Sequence, residues 1–401
     1  MTHRNGFPGL RPEAELLLAA AMPDRARALQ RAREIPAGDL DLEVLLGTAV
    51  RGRLITLLLR TLRETHPELL AGSQLEQSGR RFEWRTLRLT FELVEILRAC
   101  DQRGIEAVPY KGPALAALLY DEPTERVFKD LDLLVRPEQV RPLIEMLASR
   151  GYVADPRFEI EHLQRWMGRD CELRMTRPEP ETIVEVHWHV LPPHHARNLD
   201  FEGLWDRRCP FELGGLRTYS FGPEDTLLLI AIHAGEKHGW RRLQLLADVA
   251  RLMHRYPDID YGAVRAQAAS AGFEEALFDG LHLAWLLLGA PLPDDLVREA
   301  RSRPRVTRKV AVVLGHMFRP DCGHPSYREW SAYLALARER ATELGFDAGP
   351  APTVRAYVTD SLALRWIDQP VNLPRSLVFL YYLYRPLRLL WKHRSGILRR
   401  I

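Results

Sequence analysis

Cysteine is scarce in this chain and widely scattered. Cys100, Cys171, Cys209 and Cys322 stand far apart with no CxxC pair, which argues against a disulfide framework and against a cysteine zinc module, and leaves them as small buried fillers. Lysine is almost as rare: only five of the 56 basic residues are lysine, and the net charge of +3 is too mild to argue for a nucleic-acid partner by itself. No uncharged apolar run reaches the roughly 18 residues of a membrane-spanning helix. No basic segment, apolar core and small-residue cleavage site opens the chain, so a cytoplasmic protein with no transmembrane segment is expected. The 401 residues, 46% of them hydrophobic, are enough for two or three units around one or two cores.

The rare residues are not placed evenly. Lys111 and Lys129 both fall in one stretch, Val108-Pro109-Tyr110-Lys111-Gly112-Pro113 and, after a helix-length gap, Lys129-Asp130-Leu131-Asp132-Leu133-Leu134-Val135. The second part reads as a largely buried strand whose two-residue period throws Asp130 and Asp132 onto one face and Leu131 and Leu133 onto the other. Two carboxylates that close repel each other unless a cation or a proton sits between them. Their hard oxygen ligands suit magnesium or manganese.

Around this stretch the pattern divides the chain into an N-terminal helical unit (1–103), a mixed core (104–220) and a C-terminal helical unit (221–401). Within the first, Leu42 to Leu62 reads as one buried helix and Phe82 to Leu97 as another, with nothing chemical between them. The core is read as a strand over Ile105 to Tyr110, a helix over Ala114 to Tyr120, a strand over Lys129 to Val135, a helix over Pro137 to Arg150 and an extended restart at Gly151-Tyr152-Val153. A hairpin follows from Cys171 to Met175 and Thr182 to Val190. Turns come at Gly214-Gly215 and Gly222-Pro223. Helices are then expected over Thr226 to His233, Leu243 to Arg255, Glu274 to Leu288 and Val306 to Met317. The basic, amphipathic tail from Pro374 to Ile401 is expected to dock on the body with its charges solvated, a weak contact with a membrane surface or an acidic partner being the alternative.

Lys111-Gly112-Pro113-Ala114-Leu115, Tyr120, Arg126 and the Asp130-Leu131-Asp132 strand resemble the uncharacterised nucleotidyltransferase family of the DNA-polymerase-beta-like superfamily. The likeness continues through Gly151-Tyr152, Glu185-Val186-His187-Trp188, His233, His238, Trp240, Leu243 and Asp248, covering about residues 90 to 260. It implies an α+β fold, a small mixed nucleotidyltransferase sheet flanked by the two helical units. It also implies metal-dependent transfer of a nucleoside monophosphate from a nucleoside triphosphate such as ATP to an acceptor, with pyrophosphate released. Three carboxylates can hold the two metal ions of such a reaction. Asp130 and Asp132 would be two, and Glu185, which alternation places on one strand face with His187 and His189, would be the third and the base for the acceptor.

Lys111 and Gly112 sit where a strand turns into a helix, so the ammonium, backbone amides and the helix's positive end would meet the phosphates, joined by Lys129 and by a forked contact from Arg126. The wider superfamily usually has Gly-Ser or Gly-Gly here; Pro113 has no amide to offer. Arg126 has a plainer reading as the ion-pair partner of Asp121, Glu122 or Glu125.

His187, His189, His194 and His195 raise the question of zinc, but no cysteine is near them in sequence and no HExxH occurs, so a hydrogen-bonding or substrate-contacting role for His187 is preferred. His233 and His238 would lie about 140° apart on an unbroken helix. Gly235 and Gly239 indicate a break there, so that Ala234 to Trp240 forms a turn bordering the nucleotide or acceptor site. The acceptor is open: a small molecule, a peptide, a protein side chain or an RNA end. A toxin-like transferase acting on RNA or protein, and a non-catalytic nucleotide-binding scaffold, are the alternative functions.

Overall fold

Strand pairing decides where the carboxylates go. In a computed structural model, residues 10–154, 158–168, 170–192, 199–302 and Val313 are described. Helices α1 (Pro12–Ala21), α2 (Arg25–Arg33), α3 (Leu42–Gly52), α4 (Ile55–Thr65) and α5 (Gln74–Asp101) lead into strand β1 (Ala107–Pro109), helix α6 (Pro113–Leu119) and strand β2 (Leu131–Val135). Helix α7 (Val140–Ser149), strand β3 (Val153–Ala154), helix α8 (Leu163–Met167) and the hairpin strands β4 (Glu172–Arg177) and β5 (Thr182–His187) follow. After α9 (Phe201–Asp206) and a second hairpin, β6 (Cys209–Leu213) and β7 (Leu216–Ser220), the chain is helical: α10 (Pro223–Ile232), α11 (Leu243–Arg255), α12 (Tyr261–Ser270), α13 (Glu274–Leu288) and α14 (Asp294–Ser302). No helix among the described residues is long and apolar enough to cross a membrane. The expected helix from Val306 to Met317, Cys322, His194, His195 and the basic tail lie outside the described residues, Val313 apart.

The five-stranded sheet has the order β1-β2-β5-β4-β3, with β2 and β5 parallel and the other pairs antiparallel. This is the mixed sheet of the expected α+β fold. The alternation in β2 and β5 sends Leu131, Leu133, Val135, Val184 and Val186 to the back, where they pack with α5 and α7. Burial of each such side chain contributes about 1.5–3 kcal/mol. The opposite face carries Asp132 and Glu185. At its edge Val108, Tyr110 and Leu134 pack against Trp205, Phe221 and Leu229.

Helices that precede and follow the sheet share one core: Leu16, Leu17, Leu58 and Leu62 cluster with Leu228, Leu246, Leu252 and Leu288. Arg251 Nη1 donates to the carbonyl of Ala21 at 2.7 Å across this junction. Leu115 and Leu119 of α6 enter the same cluster, so the helical body is fastened to the sheet beside Lys111.

Two places depart from the reading of the sequence. The stretch from Leu42 to Leu62 is two helices, broken at Arg53, which sits in the left-handed region (φ 57°, ψ 35°) while Leu54 N–H donates to Ala49 O at 2.8 Å. This is a glycine-type helix ending made by an arginine, at a backbone cost of about 1–2 kcal/mol. Of the cysteines, Cys100 and Cys171 are buried as expected, but Cys209 is exposed, because the β6–β7 ribbon turns its first residue to solvent.

Candidate active site

Asp132 and Glu185 are direct neighbours across the parallel pair β2–β5, each the register partner of the other. Asp130 immediately precedes β2 on the same side. The three face a cavity of about 190 Å³ lined also by Lys111, Gly112, Arg126, Lys129, His233, Lys237 and His238. Three of the chain's five lysines therefore stand around one cavity. The structure brings together every site residue singled out from the sequence except His187, which lies one step deeper, behind Asp132.

The carboxylates differ in environment, a point that alternation alone does not reveal. Asp132 is buried (5% exposed), and both of its hydrogen bonds fall on Oδ1: Lys111 Nζ donates at 2.9 Å and His187 Nε2 at 3.1 Å. Burial opposes the charged form, but Lys111 and His187 outweigh it and hold the Asp132 carboxyl well below the usual range. Asp130 shifts the other way: burial, followed by the charges of Asp132 and Glu185, raises its pKa. Lys111 keeps its proton, since Asp132 and Glu172 overcome the burial that would lower it. Its ammonium also lies 4.5 Å from the Tyr110 ring centroid. His187 is likewise raised well above its ordinary value, burial being outweighed by Tyr110 and by the bond to Asp132.

Gly112 connects β1 to α6 at φ 51°, ψ −123°, and a Cβ there would lie 3.2 Å from the carbonyl oxygen of Asp130. Only glycine adopts this conformation without strain. The turn therefore delivers Lys111 to Asp132, but it makes a poor amide cradle. Pro113 has no N–H, Ala114 N–H is engaged by Lys111 O at 3.1 Å, and α6 spans only seven residues.

Arg126 pairs with none of Asp121, Glu122 and Glu125. Its Nε and Nη2 reach Asp248 Oδ1 and Oδ2 at 3.0 and 2.9 Å, a forked, buried pair completed by the Tyr120 hydroxyl at 2.7 Å from Oδ1. Arg60 takes Glu125 and Asp121 instead. Arg126 borders the cavity but is held by α11, so it fixes the loop before β2 to the helical body.

The histidine turn is a π-helical one, His233–Lys237, wider than an α-turn. In place of the 140° separation of an α-helix, it sets the rings of His233 and His238 edge to face, 4.8 Å apart. The turn is closed by Trp240, at φ 57° and fully buried, whose indole occupies the space a Cβ on Gly280 would need. Burial, with the neighbouring cations Lys111 for His233 and Arg242 for His238, drives both imidazoles to the neutral form, His238 down to about 2. His189 parts from His187: its ring stacks on Phe201 at 5.3 Å, so the two do not form a chelating pair.

Arg53 and Arg242 also line the cavity, and nothing in the local sequence of either had marked them. Burial, with Arg242 adding to it, lowers the Arg53 pKa to about 10. The only sequence trace of Arg53 is the missing glycine at a helix end; its strained backbone is of the kind that accumulates at functional sites.

The donors fit a hard divalent ion. The carboxylate oxygens of Asp132 and Glu185 belong, with a His187 ring nitrogen, to a group of ligand atoms within 4.8 Å of one another, and both hydrogen bonds on Asp132 fall on Oδ1. Residues 38–289 match the sequence profile of a family described as "Uncharacterised nucleotidyltransferase". Comparisons with curated proteins and with solved structures give no match. The matched span holds the whole sheet, the carboxylates, the Lys111 turn and the helices that close the cavity, and the chain belongs to the uncharacterised nucleotidyltransferase family.

Proposed function

We propose that the protein transfers a nucleoside monophosphate from a nucleoside triphosphate to an acceptor hydroxyl or related nucleophile, using magnesium or manganese. The observation that carries this reading is the register pairing of Asp132 with Glu185, with Asp130 beside them, in a cavity ringed by Lys111, Lys129, Lys237, Arg53 and Arg242. The carboxylates attract a divalent cation, and the cations around them attract phosphate oxygens. A metal-bound triphosphate satisfies both. Held by Asp130, Asp132 and Glu185, the divalent ion would supply Lewis-acid stabilisation of the phosphoryl oxygens.

The chain's own residues divide the remaining work. The acceptor oxygen attacks the α-phosphorus, its proton passes to Glu185, and the bond from the α-phosphorus to the bridging oxygen breaks to release pyrophosphate. Lys111, with Arg53, Lys129 and Lys237, neutralises the charge gathering on that leaving group. The enclosed volume of about 190 Å³ is small beside the roughly 300–1,000 Å³ that encloses a whole drug-sized ligand, which suits the phosphates better than an entire nucleotide. The neutral edge-to-face pair His233 and His238 offers ring faces and lone pairs to a sugar, base or acceptor, not a charge to the phosphates. The acceptor class is found by presenting all four labelled triphosphates, with magnesium or manganese, to small-molecule, peptide, protein and RNA acceptors and reading pyrophosphate and product mass.

Glu185→Gln tests the division of labour. It is expected to lower transfer by at least about 10³-fold, about 4 kcal/mol of transition-state stabilisation. Binding of a non-hydrolysable triphosphate analogue with magnesium should persist, because Asp130 and Asp132 remain. Calorimetry alongside pyrophosphate release separates the two effects, and a variant that turns over normally would remove Glu185 from the mechanism. Lys111→Ala is expected to lower kcat by about 10²-fold or more with a smaller loss of triphosphate affinity, since charge stabilised mainly in the transition state appears in turnover. Weaker binding at unchanged kcat would make Lys111 a substrate anchor only.

A further inference from the structure

A second cluster of ligand atoms lies behind the carboxylates. Cys171, just ahead of β4, Glu172 on β4 and His187 at the end of β5 come together because Glu172 and His187 are register partners across the β4–β5 hairpin. Cys171 Sγ, a Glu172 carboxylate oxygen and a His187 ring nitrogen all lie within 4.8 Å of one another. His187 is 1% exposed, and its Nδ1 has no hydrogen-bond partner. Glu172 Oε2 is 3.5 Å away, within ion-pair range but too long for a well-formed hydrogen bond, so this buried nitrogen beside a thiol and a carboxylate is only weakly satisfied.

We propose that Cys171, Glu172 and His187 bind a thiophilic divalent cation, zinc being the ion that fits. The donor set is sulfur, nitrogen and oxygen, which suits zinc and not magnesium. The spacing is close to what zinc requires: two ligands about 2.05 Å from a tetrahedral ion are about 3.3 Å apart, and His187 Nδ1 stands 3.5 Å from Glu172 Oε2. The sulfur closes on the other two by a small movement of the Cys171 side chain.

The other ring nitrogen supports the same assignment. His187 Nε2 donates to Asp132 Oδ1 at 3.1 Å. A metal-bound histidine ordinarily hands its second N–H to a carboxylate, which fixes the tautomer and aims the free lone pair at the ion. Here Asp132 is that carboxylate, so one imidazole would link the zinc position to the proposed magnesium position. Cys171 and His187 are shut off from solvent, while Glu172 is partly open (side chain 26% exposed) and offers the entry side. Lys237, with Nζ 3.5 Å from both Glu172 oxygens, is the counter-ion the metal displaces. On binding, the Cys171 thiol proton and the Nδ1 proton of the His187 imidazolium leave to solvent, Nε2 keeps its proton toward Asp132, and the fourth position is water. The inference stands on the hairpin and does not depend on which reaction the carboxylates perform.

Cobalt(II) titration of the purified full-length protein tests it, because a cysteine thiolate on cobalt gives a near-ultraviolet charge-transfer band that oxygen ligands do not. The expected result is a band that saturates at one cobalt per chain and disappears when zinc is added. It should be lost in Cys171→Ser and in Cys171→Ala, and kept in Cys209→Ser and Glu185→Gln. Zinc affinity by competition with a chelating dye should fall by more than about 100-fold in the Cys171 variants. Circular dichroism establishes that each variant is folded, and the alanine variant covers the event that serine is not tolerated in the buried position. No band in the parent protein, or a band of equal strength and affinity in a folded Cys171 variant, would overturn the proposal.

Discussion

Asp132→Asn is expected to abolish transfer and to destabilise the fold, whereas Asp130→Asn abolishes transfer and leaves the fold at least as stable. Both remove a proposed metal ligand, and a loss of at least about 10³-fold in turnover is anticipated for each, about 4 kcal/mol of activation free energy. Their effects on stability part because their surroundings do. The Asp132 carboxylate is the shared counter-charge of Lys111 and His187. Asparagine keeps the shape but leaves two buried cations facing a neutral group, at a cost of about 2–4 kcal/mol.

Asp130, by contrast, is crowded by Asp132 and Glu185, and neutralising it relieves repulsion. The pH dependence carries the same signature with opposite signs. The depressed pKa of Asp132 gives stability that is present above the unfolded value of about 3.9 and lost as pH falls through the folded value. The raised pKa of Asp130 gives stability that is present below about 3.9 and lost as pH rises through its folded value. Thermal melts without metal from pH 3 to 8 decide the matter. Equal melts for the two variants at neutral pH would show that the Lys111–Asp132–His187 cluster contributes nothing to the fold.

The second large effect concerns Asp248. It is fully buried, takes both forks of Arg126 and the Tyr120 hydroxyl, and joins the loop before β2 to helix α11. Asp248→Ala strands a guanidinium and a hydroxyl inside the protein and is expected to cost about 3–5 kcal/mol. That corresponds to a drop in Tm on the order of 10 °C for a body of this size. Arg126→Met in the same chain as Asp248→Leu should recover much of the loss, because a buried pair replaced whole by apolar side chains is often neutral. Denaturant midpoints of the two single variants and the double variant give the coupling energy. Strict additivity would mean that the pair is not a unit. Full stability in Arg126→Ala would return Arg126 to the role of a phosphate contact with no structural duty.

The sheet was legible because its signal is local. A period of two over Leu131–Val135 and Thr182–His187 distinguishes an apolar face from one that carries the carboxylates, and a turn-rich segment between Arg177 and Thr182 closes a hairpin. Periodic helices such as Leu243–Arg255 and Glu274–Leu288 were equally plain. The His233–His238 geometry was not, since the π-turn is closed by Trp240 seated against Gly280 of α13, a contact between residues far apart in the chain. The break at Arg53 was hidden for a related reason. An arginine in the left-handed region carries no glycine to announce it.

By itself the sequence determined the α+β sheet, the Asp130–Asp132 strand and the placing of Glu185 on the polar face of its strand, because side-chain alternation and turn chemistry are properties of neighbours along the chain. Only the tertiary structure decided that Asp132 is a buried counter-ion and Asp130 a crowded one, that Arg126 belongs to Asp248, that Arg53 reaches the cavity and that Cys171 stands beside His187. Each of those depends on which strands and helices pack side by side. Charge, burial and coordination are set by distance in space, and no local spacing encodes that distance.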